Sequence, residues 1–297
     1  MDSVTIQITK ALAGQTIKSY LKSMHVGRGK IEEIRVNQSA YIQGKSVSLD
    51  TILQENDQLS FHFLEKIDCS PSSAFPLEVL YEDDAICIVN KPAHLLIHDD
   101  GETNGDTLCN LVANHYYQKK IYRPIRYIHR LDQETTGIVL FAKDFLSEAK
   151  LHADMEEHRI EREYLGIVTN RLKEKSGTIQ KPIGRDRHNA KKRRVSSQGQ
   201  TAITHYRVEK ELANHLSLVR FRLEMGRTHQ IRVHMSAMQH PLLGDILYGE
   251  NSGRFLRVAL HSASIRLFHP LTNAYLKIDC PLPKDMLDFI QKGEKKK

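Results

Sequence analysis

In this 297-residue chain the polar loop Tyr127-Ile128-His129-Arg130-Leu131-Asp132-Gln133-Glu134-Thr135-Thr136-Gly137 lies between two apolar runs. Asp132 is the residue there that could do chemistry. A loop carboxylate can act as nucleophile, general base or electrostatic stabiliser, and loops held by a rigid sheet are where such groups are usually carried. An aspartate in such a loop can equally cap a turn. The loop by itself does not choose between the two.

Basic residues are the second signal. Lys plus Arg exceed Asp plus Glu by seven, for a pI near 9.1. Arg185, Arg187, Lys191, Lys192, Arg193 and Arg194 crowd into one short stretch whose single acid is Asp186. Such a run suits a polyanionic partner, and it suits a solvated loop equally well.

Other chemistries find little support. Gly44-Lys45-Ser46 lacks the glycine five residues earlier that a phosphate loop needs, that position being Ser39. The second residue after Asp132 is Glu134, so the D-x-D of an aspartyl phosphotransferase is missing. Cys69, Cys87, Cys109 and Cys280 form no C-x-x-C pair, and the sixteen histidines show no H-E-x-x-H spacing. No metal is expected, and the cysteines read as reduced thiols of the cytoplasm. Apolar runs are strand-sized, well short of the roughly 20 residues that cross a bilayer, and the opening Met1-Asp2-Ser3-Val4 has no secretion pattern. We expect a soluble, cytoplasmic monomer.

These residues need elements to position them. Residues 1–65 predict a small α/β module: a helix over 17–24, a basic turn over 26–30, and strands at 40–42 and 47–49 flanking the turn 43–46. A last strand covers 58–63. A linker is expected over 66–76, where Cys69-Ser70-Pro71-Ser72-Ser73 breaks periodicity. The main domain is expected over 77–290 and a basic tail over 291–297. Strands are predicted at 79–81, 85–89, 137–142, 164–168, 202–208 and 217–224, and helices over 107–119 and 145–157. Adjacent strands without a βαβ rhythm point to an α+β fold with a mixed or antiparallel sheet.

His129 to Gly137 resembles the signature loop of the RluA-type pseudouridine synthases, in which the aspartate is catalytic. Further segments resemble the family in order: Asn90-Lys91-Pro92, Arg162-Glu163-Tyr164, Gly226-Arg227-Thr228-His229-Gln230-Ile231-Arg232-Val233-His234, Gly244 to Gly249, and Leu260-His261-Ser262-Ala263. The likeness runs from Leu77 to about Pro283. It departs at His94, Thr136 and Met225, where the family usually has glycine, serine and threonine. The first 65 residues resemble the S-four type RNA-binding domain, through Lys45 to Val47 and Asn56-Asp57-Gln58.

The resemblance implies an enzyme that isomerises uridine to pseudouridine in RNA, ribosomal or transfer, without nucleotide, metal or small-molecule cofactor. Detaching uracil leaves an electron-poor ribose, which the Asp132 carboxylate can attack, stabilise or deprotonate. An anion in a water-poor pocket needs a cation, and Arg227 is the candidate. Tyr164 offers a flat face for the uracil, its alternative being a buried strand tyrosine. Arg130 and His129 adjoin Asp132, and Arg130 either fills the space of a flipped-out base or meets a phosphate. Arg185, Lys191, Lys192, Arg193 and Arg194 lie where the family carries an RNA-facing basic segment. The competing reading is a non-catalytic RNA-binding or ribosome-assembly factor, which would have no need of Asp132, Tyr164 and Arg227 together.

Overall fold

The computed structural model describes residues 2–63, 67, 69–101, 105–250 and 253–294. The expected tail residues Lys295 to Lys297, and part of the expected linker, lie outside these.

The chain opens with β1 (Asp2–Gln7), α1 (Ile17–Ser23), α2 (Arg28–Val36), β2 (Ala40–Ile42), β3 (Lys45–Ser46) and β4 (Gln58–Phe63), and its strands form a small antiparallel sheet in the order β1-β4-β2-β3. Thr16 caps α1 by accepting from Ser19 N–H. The basic stretch 26–30 is not a free turn. Gly27 is the N-cap of α2, which buries Ile31 and Ile34 three residues apart on one face. The strand expected at 47–49 shifts earlier, pairing Tyr41 with Ser46 and Ile42 with Lys45. β1 is an edge strand that the polar opening of the chain does not advertise.

The remainder comprises β5 (Glu78–Glu82), β6 (Ile86–Lys91), α3 (Leu108–Gln118), β7 (Arg126–Tyr127), β8 (Thr136–Ala142), α4 (Phe145–Glu156), β9 (Glu161–Val168), β10 (Ser176–Gln180), β11 (Ile183–Arg185), β12 (Arg193–Val195), β13 (Ile203–Glu211), β14 (Ser217–Leu223), α5 (Gln230–Ala237), β15 (Leu260–Phe268), β16 (Tyr275–Asp279) and α6 (Lys284–Glu294). Helix α6 carries the ordered chain past position 290, into the stretch expected to be tail.

Ten strands form one mixed sheet, in the order β10-β13-β14-β9-β15-β8-β6-β5, with β16 beside β15 and β7 beside β8. Only the β15–β8 pair is parallel among the described strands. The fold is α+β, as expected. Strand β8 is buried at all of its residues, and its side chains alternate between two cores. Val139 and Phe141 pack with Leu108, Leu111, Val112 and Tyr116 of α3. Ile138, Leu140 and Ala142 pack with Leu151 of α4 and with Ile265 and Leu267 of β15.

Strand β15 joins the two halves of the sheet. Its Ser262 lies opposite Gly137 on one side and Tyr164 on the other, which brings the end of the Asp132 loop beside β9. Gly137 has φ +106°, and a Cβ there would fall 2.2 Å from the Ser262 carbonyl oxygen. No larger residue fits without moving the strand.

The small sheet and its helices are docked on the start of α4. Phe145 and Leu146, the first residues of α4, belong to the same buried cluster as Ile17, Tyr20, Leu21 and Phe61. The Phe61 and Phe145 rings meet edge to face at 5.6 Å. Chain from the expected linker is pinned as well, Ser72 N–H donating to Asn110 O and Asn110 Nδ2 donating to Ser70 O.

Candidate active site

A cleft of about 850 Å3 opens over the β7–β8 loop, and Arg130, Asp132, Tyr164, Arg162, Lys191, Arg193, Arg227, His229 and Arg232 are among its lining residues. Separate stretches of sequence meet there, among them the loop before β8, strand β9, the β11–β12 hairpin and the turn that opens α5.

Asp132 is partly exposed, and Arg232 Nη1 donates to its Oδ2 at 3.0 Å. The cation expected to hold it is Arg227, and the structure corrects this. Arg227 lines the cleft but sends its Nε–H to the Thr201 carbonyl at 3.0 Å, because it precedes α5 while Arg232 sits within it. Arg232 forks onto a second carboxylate, Asp245, with Nε to Oδ2 at 2.8 Å and Nη2 to Oδ1 at 2.9 Å. Asp245 is fully buried and its Oδ1 also accepts the N–H groups of Leu247 and Tyr248. Burial opposes charge on Arg232, but Asp245 and Asp132 outweigh it and raise its pKa above the ordinary guanidinium value. It is a fixed cation.

Lys91 holds the loop from beneath. Its ammonium is buried and donates to the carbonyls of Pro92 at 2.8 Å, Leu95 at 2.7 Å and Gln133 at 2.9 Å. Burial pushes its pKa down to about 7 against the pull of Asp132. The three acceptors use all three of its N–H donors, so the charged form is the one that satisfies them. His94 stands where a glycine is usual, and the backbone explains the preference, since its φ is +60°. Its Nδ1 lies 2.9 Å from Glu134 Oε1, tying the loop after β6 to the Asp132 loop.

Tyr164 projects from β9 into the cleft wall and is 5% exposed. Burial raises its phenol pKa, Asp132 adds to the rise, and Arg162 and Ser262 at the hydroxyl oppose it. The group is a protonated phenol at neutral pH, a donor and an apolar face rather than a base. Arg162 is itself buried beside it, next to Gly226, whose absent side chain leaves room for the guanidinium.

The expected RNA contacts divide. Arg130 is exposed at the cleft. His129 is not an outward contact: its ring is buried, Nε2 accepts the Leu140 N–H at 3.3 Å, and burial, then Arg162, pushes its pKa down to about 3. It splints the loop to β8. The basic run forms the hairpin β11–β12, with Arg185 opposite Arg193. Lys191 and Arg193 line the cleft, whereas Arg185, Lys192 and Arg194 are not among its lining residues. Tyr248 anchors the hairpin: its hydroxyl accepts the Arg193 N–H at 2.7 Å, and Lys192 Nζ lies 6.0 Å over its ring.

Away from the cleft, Glu82, Cys87 and His115 bring ligand-type atoms within 4.8 Å of one another. Glu82 already holds Lys119, His115 and Lys143, and burial pushes the Cys87 thiol up to about 12. That trio is an ion-paired core, not an open ligand set.

Similarity to known proteins agrees with this geometry. Residues 85–237 match the family described as RNA pseudouridylate synthase, and residues 4–59 match the RluD ribosomal pseudouridine synthase N-terminal domain. The chain is 39% identical to the Bacillus subtilis protein named "Uncharacterized RNA pseudouridine synthase YhcT", covering 95% of this chain and 94% of that one. It is 30% identical to the ribosomal large subunit pseudouridine synthase D of Escherichia coli, over 97% of this chain and 93% of that one. The solved structure of human RNA pseudouridylate synthase domain containing 1 superposes with a TM-score of 0.59 at 27% identity, covering 71% of this chain and 86% of that one. Family likeness over this length, with a carboxylate held by a buried arginine in an open cleft, means that the chain belongs to the RNA pseudouridylate synthases and isomerises uridine to pseudouridine in RNA.

Proposed function

We propose that Asp132 is the catalytic carboxylate and that the target is a uridine of large-subunit ribosomal RNA. The observation that carries the first part is the 3.0 Å contact between Asp132 Oδ2 and Arg232 at the centre of the cleft. A carboxylate held this way is oriented toward the place where a ribose carbon becomes electron-poor. Support for the second part comes from relatives named for that substrate, including the Escherichia coli protein.

In this reading Tyr164 stacks on the uracil, Arg232 orients Asp132, and Arg227 and Arg130 meet the RNA strand at the mouth. The uridine reaches Asp132 only when flipped out of its stack, at a cost of a few kcal/mol, and Arg130 is placed to fill the gap. Lys191 and Arg193 hold phosphates beside the cleft, with Arg185, Lys192 and Arg194 adding charge behind them. We assign residues 1–65 to an RNA-binding module, 66–76 to a connection, and residues from 77 onward to catalysis. No helix among the described residues is long and apolar enough to cross a membrane. We place its work in the cytoplasm, as a monomer, with no cofactor, since the RNA supplies both the leaving base and the carbon that returns to the ribose.

Release of tritium from uridine C5 in labelled RNA is the test. Asp132→Asn should fold and bind RNA while losing turnover, because the amide keeps the shape and removes the charge. Turnover above a trace would remove Asp132 from the role. Mapping pseudouridine in cells with and without the protein decides the target, and a missing site in transfer RNA alone would overturn the ribosomal assignment.

A further inference from the structure

His229 is in the left-handed region at φ +59° and forms the N-cap of α5, with no side-chain bond to the helix. A bulky residue in that conformation is held there by its surroundings. Its ring meets Tyr248 edge on at 5.5 Å, and its Nδ1 lies 2.8 Å from the Tyr248 hydroxyl. That hydroxyl already accepts the Arg193 N–H, so its own proton is free to go to Nδ1. The imidazole proton is then on Nε2, which faces Asp132 Oδ2 at 3.8 Å. Arg232 donates to the same oxygen, and among the described residues no donor reaches Oδ1.

We propose that His229 is a positioning residue for Asp132, its tautomer set by Tyr248 and the main chain of the basic hairpin, and that with Arg232 it leaves Oδ1 as the oxygen that meets the ribose. The proposal rests on Asp132 being the catalytic carboxylate. At 3.8 Å the contact with Oδ2 is electrostatic rather than a hydrogen bond, and a small rotation of the carboxylate closes it. The charged and titratable groups around the ring are Asp132 from the β7–β8 loop, Arg232 from α5, Asp245 and Tyr248 from the segment after α5, and Arg193 from β12. Burial leads among their effects and keeps the imidazole neutral near pH 7, as a fixed tautomer requires.

The test compares Tyr248→Phe, His229→Gln and His229→Leu with wild type and Asp132→Asn, using single-turnover tritium release at saturating RNA and separate RNA titrations. Tyr248→Phe takes away the hydroxyl that binds Nδ1, so the ring is no longer held in the orientation that points Nε2–H at Asp132. The rate at saturating RNA should fall roughly 10- to 100-fold, the scale on which misplacing a reacting group by about 1 Å acts, and the separate titrations register any loss of affinity from the hairpin, whose Arg193 N–H loses the same hydroxyl. His229→Gln keeps an N–H donor and should outperform His229→Leu. A Tyr248→Phe enzyme with the single-turnover rate of wild type at saturating RNA overturns the proposal, as does equality of the two His229 variants at matched melting temperatures. If Tyr248→Phe fails to fold, the Gln–Leu contrast decides. Activity in Asp132→Asn would instead sink the catalytic reading beneath it, whereas an inactive Asp132→Asn beside an unaffected Tyr248→Phe sinks this inference alone.

Discussion

Arg232 Nη1 stands 3.0 Å from Asp132 Oδ2 across a hundred residues of sequence, and its other donors grip a carboxylate that solvent does not reach. Removing the guanidinium leaves Asp245 buried and unpaired, which typically costs about 3 to 5 kcal/mol. Arg232→Met should therefore melt earlier as well as lose activity. Arg232→Lys keeps the charge but cannot span both carboxylates. It should fold and yet turn over slower by roughly 100-fold or more, the scale of losing a preorganised donor. Arg227→Ala should act mainly on RNA affinity. Thermal melts with single-turnover rates check this, and a fast Arg232→Lys beside a dead Arg227→Ala would return the role to Arg227.

The hairpin makes a graded expectation. Lys191 and Arg193 line the cleft, and Arg185 and Arg194, on the same hairpin, do not. Each cation that meets a phosphate should, once replaced by glutamine, flatten the plot of log affinity against log salt by roughly 0.7 on single-stranded RNA. The Lys191→Gln, Arg193→Gln pair should show a larger flattening than the Arg185→Gln, Arg194→Gln pair. Chemistry on a bound uridine should change far less than affinity, because the link from Arg193 to Tyr248 is made by the main chain. Equal, unchanged slopes in both pairs would leave the hairpin a solvated loop.

Periodicity and turn chemistry make much of this molecule readable from its residues. The apolar run that becomes β8, the faces of α3 and α4, and the hairpin β5–β6 all carry their pattern locally. Asp132 stands out in a loop between strands, but the family resemblance, not the loop, singles it out as the catalytic candidate. The identity of its cation is not legible. Arg227 and Arg232 occur in one short motif, and the choice depends on α5 starting at Gln230 after a left-handed His229, which turns the first arginine outside the helix and the second toward the loop. The buried acid of Gly244-Asp245 is the signal that could have pointed to Arg232, since a buried carboxylate demands a partner. His129 misleads for a related reason: adjacency to Asp132 says nothing about which way a side chain faces. The glycines of Val26-Gly27-Arg28-Gly29-Lys30 hide the start of α2, whose stability comes from burying Ile31 and Ile34 rather than from propensity.

Docking of the small sheet on α4 changes what truncation should do. Deleting residues 1–65 removes no cleft-lining residue, so tritium release at saturating RNA should survive with weaker RNA affinity. It also uncovers Phe145 and Leu146. Their exposure forfeits roughly 1.5 to 3 kcal/mol per side chain, and the shortened chain should melt lower and aggregate more readily. Replacing both by polar residues in the truncated chain should restore solubility without restoring affinity. A truncated protein as soluble as the full chain, by light scattering at equal concentration, would argue against the packing of Phe61 on Phe145.

Acid should unfold the protein through its buried histidines before its ion-paired carboxylates. Burial pushes His129 down to about 3 and His261 down to about 4, against roughly 6.5 for an unfolded histidine. Between those values the unfolded chain binds more protons than the folded one. The stability these neutral rings contribute is therefore full above about pH 6.5 and falls as pH drops toward the folded values, by up to about 1.4 kcal/mol per pH unit for each histidine. Glu82, held down to about 2 by Lys119, His115 and Lys143 against the opposing effect of burial, loses its contribution only below about pH 4.3, where an unfolded glutamate begins to protonate. Denaturant melts between about pH 6.5 and about pH 4.5 consequently read the histidines before Glu82 contributes, with Asp144, whose pKa burial raises, acting in the opposite sense. His261→Asn, which removes one titrating ring beside Thr136 and Cys280, should give a chain that is less stable at neutral pH but has a shallower slope in this window. A slope equal to that of wild type would mean that His261 is not buried in its neutral form, and that the acid sensitivity has another source.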